Sequence, residues 1–290
     1  MVQWYLFLPQ VRLSVGDITD RARHAEASGF DGIAFIDHLE APGLPGESIW
    51  EAMSVATWVA ANTERLRIGH LVLCDAFRHP AVLAKQAVTL SDASGGRFDL
   101  GLGSGSWPAE FTRFEVGRQD AVTRVQQLGR HLDLIKQYWG DRTPTDGVVQ
   151  LPKRTQPIPL VLGGSGPRMM ELVRRHADWW NLPADLLDRL PRLAPAAGGA
   201  RISVQQMIGF VRSGADPDAV REVSTRRFGV LGSGLVCGDA DELRKHFARL
   251  ADQRVERFYV WFADFAPADS LHEFGETVIK AFSGAVDAPR

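Results

Sequence analysis

The feature that most limits what this chain can fold into is a repeated alternation. Short apolar runs give way, about eight times, to stretches with helical spacing. The runs are Trp4 to Pro9, Gly32 to Ile36, Leu66 to Leu73, Arg97 to Leu102, Pro159 to Leu162, Asp178 to Asn181, Arg201 to Val211 and Arg257 to Phe262. Their near-continuous apolar character suits strands buried on both faces, and connections of helical length suit parallel pairing. A βα alternation asks for a parallel sheet covered by helices. An eight-fold count favours a closed (β/α)8 TIM barrel over an open doubly wound sheet. No linker, internal repeat or low-complexity tract interrupts the pattern, so residues 1–290 read as one domain.

The intervening helices are expected at Asp17 to Ser28, Ile49 to Ala61, Pro80 to Ser94, about Arg118 to Trp139, from Pro167 onward, Asp216 to Arg227, Asp239 to Ala251 and Ser270 to Phe282. Asp216 followed by Pro217 is a cap and first-turn pair. Pro183, Pro191 and Pro195 break Leu182 to Ala200 into short helical pieces at most. The segment Gly140 to Pro159, rich in Pro, Thr and charge, reads as surface loop.

Composition excludes several classes. The formal net charge is −2 over 290 residues, which gives no electrostatic case for nucleic acid or an anionic membrane surface. Cys74 and Cys237 form no Cys-x-x-Cys pair and read as free thiols of a reducing compartment. The N-terminus has no basic region or cleavage site and reads as a first strand. With no apolar run long enough for a bilayer, the expectation is a cytoplasmic protein. No His/Cys/Asp/Glu set has metal-ligand spacing, so no metal site is expected.

The chemistry-bearing breaks fall at strand ends. Asp37 and His38 follow the second run, Cys74 and Asp75 the third, Gly103 to Ser106 the fourth, and Gly163 to Gly166 the fifth; Asn181 ends the sixth. In a barrel these positions surround one mouth, where active sites form. At the fifth, Leu160-Val-Leu feeds Gly163-Gly-Ser-Gly166, and Pro167 suits a first helical turn. Glycines and a helix start could cradle a phosphate; an ordinary tight turn would look the same. His38 could act as general acid or base, or be a buried histidine bonded to backbone. Asp37 beside it ends a buried strand. Asp75 could bond a ligand hydroxyl or be a solvated acid. Cys74 reads as packing, since no local base is visible. Gly101, Gly103 and Gly105 miss the G-x-G-x-x-G spacing; they could admit a flat ring or simply pack closely at the rim. Trp107 could stack on a ligand at the mouth, and Arg78 reads as a solvated or salt-bridged arginine.

Several stretches together resemble the bacterial luciferase-like flavin and deazaflavin oxidoreductases. They are Ala25-Glu-Ala-Ser-Gly-Phe-Asp-Gly, Ile36-Asp-His, Ala60-Ala-Asn-Thr-Glu-Arg-Leu-Arg-Ile-Gly, Arg78-His-Pro-Ala-Val-Leu-Ala-Lys-Gln, Leu90-Ser-Asp-Ala-Ser-Gly-Gly-Arg-Phe-Asp-Leu-Gly-Leu-Gly, Pro159-Leu-Val-Leu-Gly-Gly-Ser-Gly-Pro and Leu235-Val-Cys-Gly-Asp-Ala-Asp-Glu-Leu. The resemblance implies a barrel that binds coenzyme F420, or alternatively FMN, with the ring at the mouth. It implies that Asp37 and His38 are the catalytic, ring-proximal pair. It places Leu71-Val72 where the family often has a non-prolyl cis peptide behind the ring, although Leu71 is bulkier than the usual residue. Gly163, Gly164, Ser165 and Gly166 match the phosphate loop, and Ser104 and Gly105 a further cofactor contact. Ser106 stands where a sugar-phosphate dehydrogenase branch carries an acid, which argues against that reaction unless Glu110 substitutes.

The expected activity is hydride transfer between the deazaflavin and a small organic substrate. The alternatives are an FMN monooxygenase using O2 and a non-catalytic coenzyme-binding barrel. The expected partners are a small-molecule substrate, a flavin reductase or F420-reducing enzyme and a second copy in a homodimer.

Overall fold

The computed structural model describes residues 2–117, 120–141 and 147–283. Its strands, in chain order, are β1 (Gln3–Phe7), β2 (Gly32–Phe35), β3 (Arg67–His70), β4 (Leu73–Cys74), β5 (Phe98–Gly103), β6 (Leu160–Gly163), β7 (Trp179–Pro183), β8 (Arg201–Phe210), β9 (Leu235–Gly238) and β10 (Val255–Phe262). The helices are α1 (Val15–Ala27), α2 (Ala52–Ala61), α3 (Pro80–Ala93), α4 (Pro108–Arg113), α5 (Ala121–Tyr138), α6 (Pro167–His176), α7 (Leu190–Leu193), α8 (Pro217–Phe228), α9 (Ala240–Asp252), α10 (Ala268–Phe274) and α11 (Lys280–Ser283). All strand pairs are parallel, and β10 bonds both β1 and β8, so the sheet closes on itself. Eight strands form the ring, as the alternation implies, with β4 and β9 lying off it. No helix among the described residues is long and apolar enough to cross a membrane. The expected helix start at Arg118 lies outside the described residues.

Two strands depart from the sequence reading. The third run is not one strand. It breaks between His70 and Leu73, where the Leu71–Val72 peptide is cis, and resumes as β4 against β5. The other is β9, which the sequence reading leaves unassigned. β7 leaves the edge of β8 at Gln205, and β9 takes up that edge from Met207 to Phe210. Between β8 and β9 the chain makes an excursion through α8, and Phe228 at its end is fully buried against Trp261, with ring centroids 4.8 Å apart.

Side chains alternate across each strand. Trp4, Leu6 and Leu8 join the large apolar layer under the helices, whereas Tyr5 and Phe7 pack inside the ring with Ala34, Tyr259, Ile36, Leu71 and Trp261. The end of the ring where strands begin is plugged by an ion network. Asp99 receives Arg67 at 2.5 Å, Arg257 at 3.0 Å and the Tyr5 hydroxyl at 2.8 Å. The Arg257 guanidinium lies 3.8 Å from the Trp179 ring centroid. Burial, then the Asp99 charge, pushes the Tyr5 phenol well above its usual range. Among the described residues this network closes the end where strands begin and leaves the opposite end, where strands finish, facing the loops.

Candidate functional site

At that open end β2 delivers Asp37 and His38. The His38 ring bonds through Nδ1 to Glu110 Oε2 at 2.8 Å. Glu110 sits in α4, 2% exposed, and its other oxygen accepts the N–H groups of Leu39 at 2.6 Å and Glu40 at 3.2 Å. A carboxylate has only acceptors, so Nδ1 donates and Nε2 carries the exchangeable lone pair or proton. Among the described residues Nε2 has no hydrogen-bond partner. His38 is thus neither a histidine tied to backbone nor a solvated one; it is an imidazole held in one tautomer by a buried acid. That partner lies 72 residues away in the chain and was visible only as the acid that could replace the missing one at Ser106. Exposed Leu39 and Trp107 flank this pair in the chain, on the same two loops.

Asp37 is differently engaged. Arg78 grips both its oxygens, at 2.5 and 3.0 Å, and the Cys74 N–H donates to it at 2.8 Å. Arg78 also reaches Glu51, which caps α2. Burial alone would lower the Arg78 guanidinium, but Asp37 and Glu51 outweigh it and raise it. Asp37 therefore ties the end of β2 to β4 and α2. Asp75 is buried, not solvated, and bonds His131 Nδ1 at 3.0 Å. Burial pushes the Cys74 thiol up to about 12, which suits packing and not nucleophilic work.

The glycines of β5 resolve as close packing. A Cβ at Gly101 would lie 1.8 Å from the His70 carbonyl oxygen, and one at Gly103 would lie 2.5 Å from Val72 Cγ2. They make room for the Leu71–Val72 step. Leu71 and Val72 themselves are half-buried between buried His70 and Leu73, so they reach the mouth. Gly105 has φ +82° and packs on Phe111 and Cys74, while the Ser104 carbonyl accepts Arg124 Nε at 3.1 Å.

The loop after β6 is built otherwise. Cβ positions at Gly163 and Gly166 meet nothing within 4 Å, so both glycines line open space. Gly164 has φ +121°, which L side chains rarely adopt, and its carbonyl is pinned by Trp180 Nε1 at 2.8 Å. Pro167 starts α6, and no side chain caps that helix, whereas Ser14, Glu51, Asp120, Asp216 and Asp239 cap α1, α2, α5, α8 and α9. Uncapped N–H groups beside open glycines suit an anion. Inside the ring, Trp261 Nε1 is buried without a hydrogen-bond partner among the described residues, and its ring packs against Phe7 and Leu71's cluster. A heteroatom of a bound ring would satisfy it. These residues fit a phosphate-bearing aromatic coenzyme. No metal-binding group of three His, Cys, Asp or Glu occurs among the described residues.

The site is thus a barrel with a plugged base whose mouth carries an acid-bonded histidine and an open glycine loop at an uncapped helix start. The profile of the luciferase-like monooxygenases matches residues 7–261, and the chain belongs to that family. It is 27% identical over 233 residues to an F420-dependent glucose-6-phosphate dehydrogenase of Nakamurella multipartita, covering 73% of this chain and 67% of the relative. It is 32% identical over 163 residues to a protein of the same name from Microbacterium testaceum, covering 53% and 48%. The second alignment thus spans about half of that relative's length. Among solved structures, an F420-dependent secondary alcohol dehydrogenase in complex with an F420–acetone adduct superposes with a TM-score of 0.77 at 17% identity, covering 96% of this chain and 98% of that one. A riboflavin lyase with modified FMN gives 0.79 at 13%, covering 100% and 93%. These two share the fold.

Proposed function

We propose that this chain is an F420-dependent oxidoreductase acting on a small organic substrate. The His38–Glu110 pair at the mouth is the observation that carries the catalytic part, and the relatives named for F420 support the choice of coenzyme. Gly163, Gly164, Ser165, Gly166 and the start of α6 would hold the coenzyme phosphate, and Leu71 and Val72 would back its ring. Ser104 and Gly105 would border the same side. When bound, the coenzyme supplies hydride chemistry, and the protein supplies geometry and electrostatics. His38 Nε2 would hold or move a proton at the substrate's oxygen or nitrogen, with Glu110 orienting the ring. Asp37, with both oxygens taken by Arg78 and Cys74, is a positioning residue in this reading.

Titration of the apo protein with F420 and with FMN tests the proposal. Tighter F420 binding and coenzyme-linked turnover on a panel of alcohols, ketones, imines and alkenes is the expected result. Tighter FMN binding with oxygen consumption would replace it with a monooxygenase. Tight binding without turnover on any panel member would leave a coenzyme carrier.

A further inference from the structure

A cleft of about 760 Å³ opens at the glycine loop and runs outward between α6 and the helical run that follows β7. Ser165 and Gly166 form its inner end. Farther out, its walls carry Arg174, Arg189 and Arg192 against a single acid, Glu171. The spacing explains the convergence. Glu171 and Arg174 share one face of α6, and Arg189 and Arg192 are three apart at the start of α7. The stem of Arg174 is seated on Gly198, where φ is +67° and a Cβ would come within 2.8 Å of Arg174 Cγ. The three guanidinium groups are exposed, and among the described residues none is within ion-pair distance of a carboxylate.

Three cations against one acid leave the cleft with a net positive charge, which favours an anionic occupant. The occupant must also be continuous with whatever lies on Gly163 to Gly166. FMN ends at its phosphate. Coenzyme F420 continues past its phosphate into a chain of glutamates, which is a row of carboxylates. We propose that this cleft is the subsite for that carboxylate chain, held by Arg174, Arg189 and Arg192. The inference rests on the F420 reading of the mouth and adds to it a reason why this protein would prefer the longer coenzyme. Arginine suits the task because its fork pairs with carboxylates in two-point contacts.

The test is a fluorescence titration of the apo protein with two forms of the coenzyme, one ending at the phospholactyl group and one carrying several glutamates. The glutamylated form should bind about tenfold more tightly at low ionic strength, from several exposed charge pairs acting together, and salt should erase the difference. The triple variant R174Q/R189Q/R192Q should bind both forms alike, with the affinity of the short form unchanged. The triple Arg→Lys variant should keep part of the preference, since charge remains. Equal binding of the two forms by the wild-type protein would overturn the inference while leaving the coenzyme assignment standing. Retention of the full preference by the glutamine variant would also overturn it. Failure of both forms to bind the wild-type protein would overturn the coenzyme assignment and the inference together.

Discussion

Replacing Glu110 by glutamine leaves the shape of the site nearly unchanged and inverts its hydrogen-bond logic. Glutamine Oε1 can still accept the Leu39 and Glu40 N–H groups, which lie 2.6 and 3.2 Å from Glu110 Oε1. Its amide nitrogen then faces His38 Nδ1, which must accept where it had donated. The imidazole proton moves to Nε2, and the atom at the mouth changes from acceptor to donor. A hydrogen bond to a charged group contributes roughly 1.5–3 kcal/mol. At about 1.4 kcal/mol per decade, turnover should fall about ten- to a hundredfold. Loss of charge behind two backbone donors should cost about 1–2 kcal/mol of stability, a fall of a few degrees in Tm. Nitrogen NMR of the ring reports the tautomer without any substrate, and steady-state kinetics with F420 reports the rate. An unchanged tautomer, or unchanged kcat with the new tautomer, would refute the role given to this pair.

Other expectations follow from the same contacts. Asp37→Asn should lower stability by about 2–3 kcal/mol in denaturant unfolding, because half-buried Arg78 keeps only Glu51, and a native midpoint would remove Asp37 as the tie between β2 and β4. Gly166→Asp should fold normally, since its Cβ direction is open, yet weaken coenzyme binding at least tenfold by placing a charge before α6; undiminished affinity would put the phosphate elsewhere. Gly101→Ala should fail to give stable protein, since its Cβ would collide with the His70 carbonyl; a Tm within a few degrees of wild type would contradict that packing. Burial lowers the His70 imidazole to about 4. The unfolded chain therefore takes up this proton first as pH falls from about 6.5 toward 4, and stability drops across that window, by about 2 kcal/mol at pH 5. His70→Gln, which does not titrate, should flatten that part of the pH–stability curve, and an unchanged curve would exclude His70 as its source.

The barrel was legible because burial on both faces leaves a simple trace, apolar runs punctuated at their ends. What the trace could not carry were contacts between distant segments. Glu110 meets His38 across 72 residues, and Arg78 meets Asp37 across 41, with no local pattern announcing either. β9 escaped because its role exists only where β7 departs from β8. α4 is a six-residue helix, too short for periodicity to reveal. The glycine alternation of β5 leaves a ring contact and close packing equally open in the sequence, and only the neighbouring chain shows the room it makes for His70 and Val72. The loop at Gly163 to Gly166 was the reverse case, since strand, glycines and Pro167 lie side by side in the sequence.

Direct titration of the apo protein with F420 and FMN bears most heavily on this account. Saturable F420 binding, tighter than FMN and weakened by Gly166→Asp, is what a plugged barrel with one coenzyme mouth predicts. Absence of F420 binding, or binding indifferent to Gly166→Asp, would contradict it.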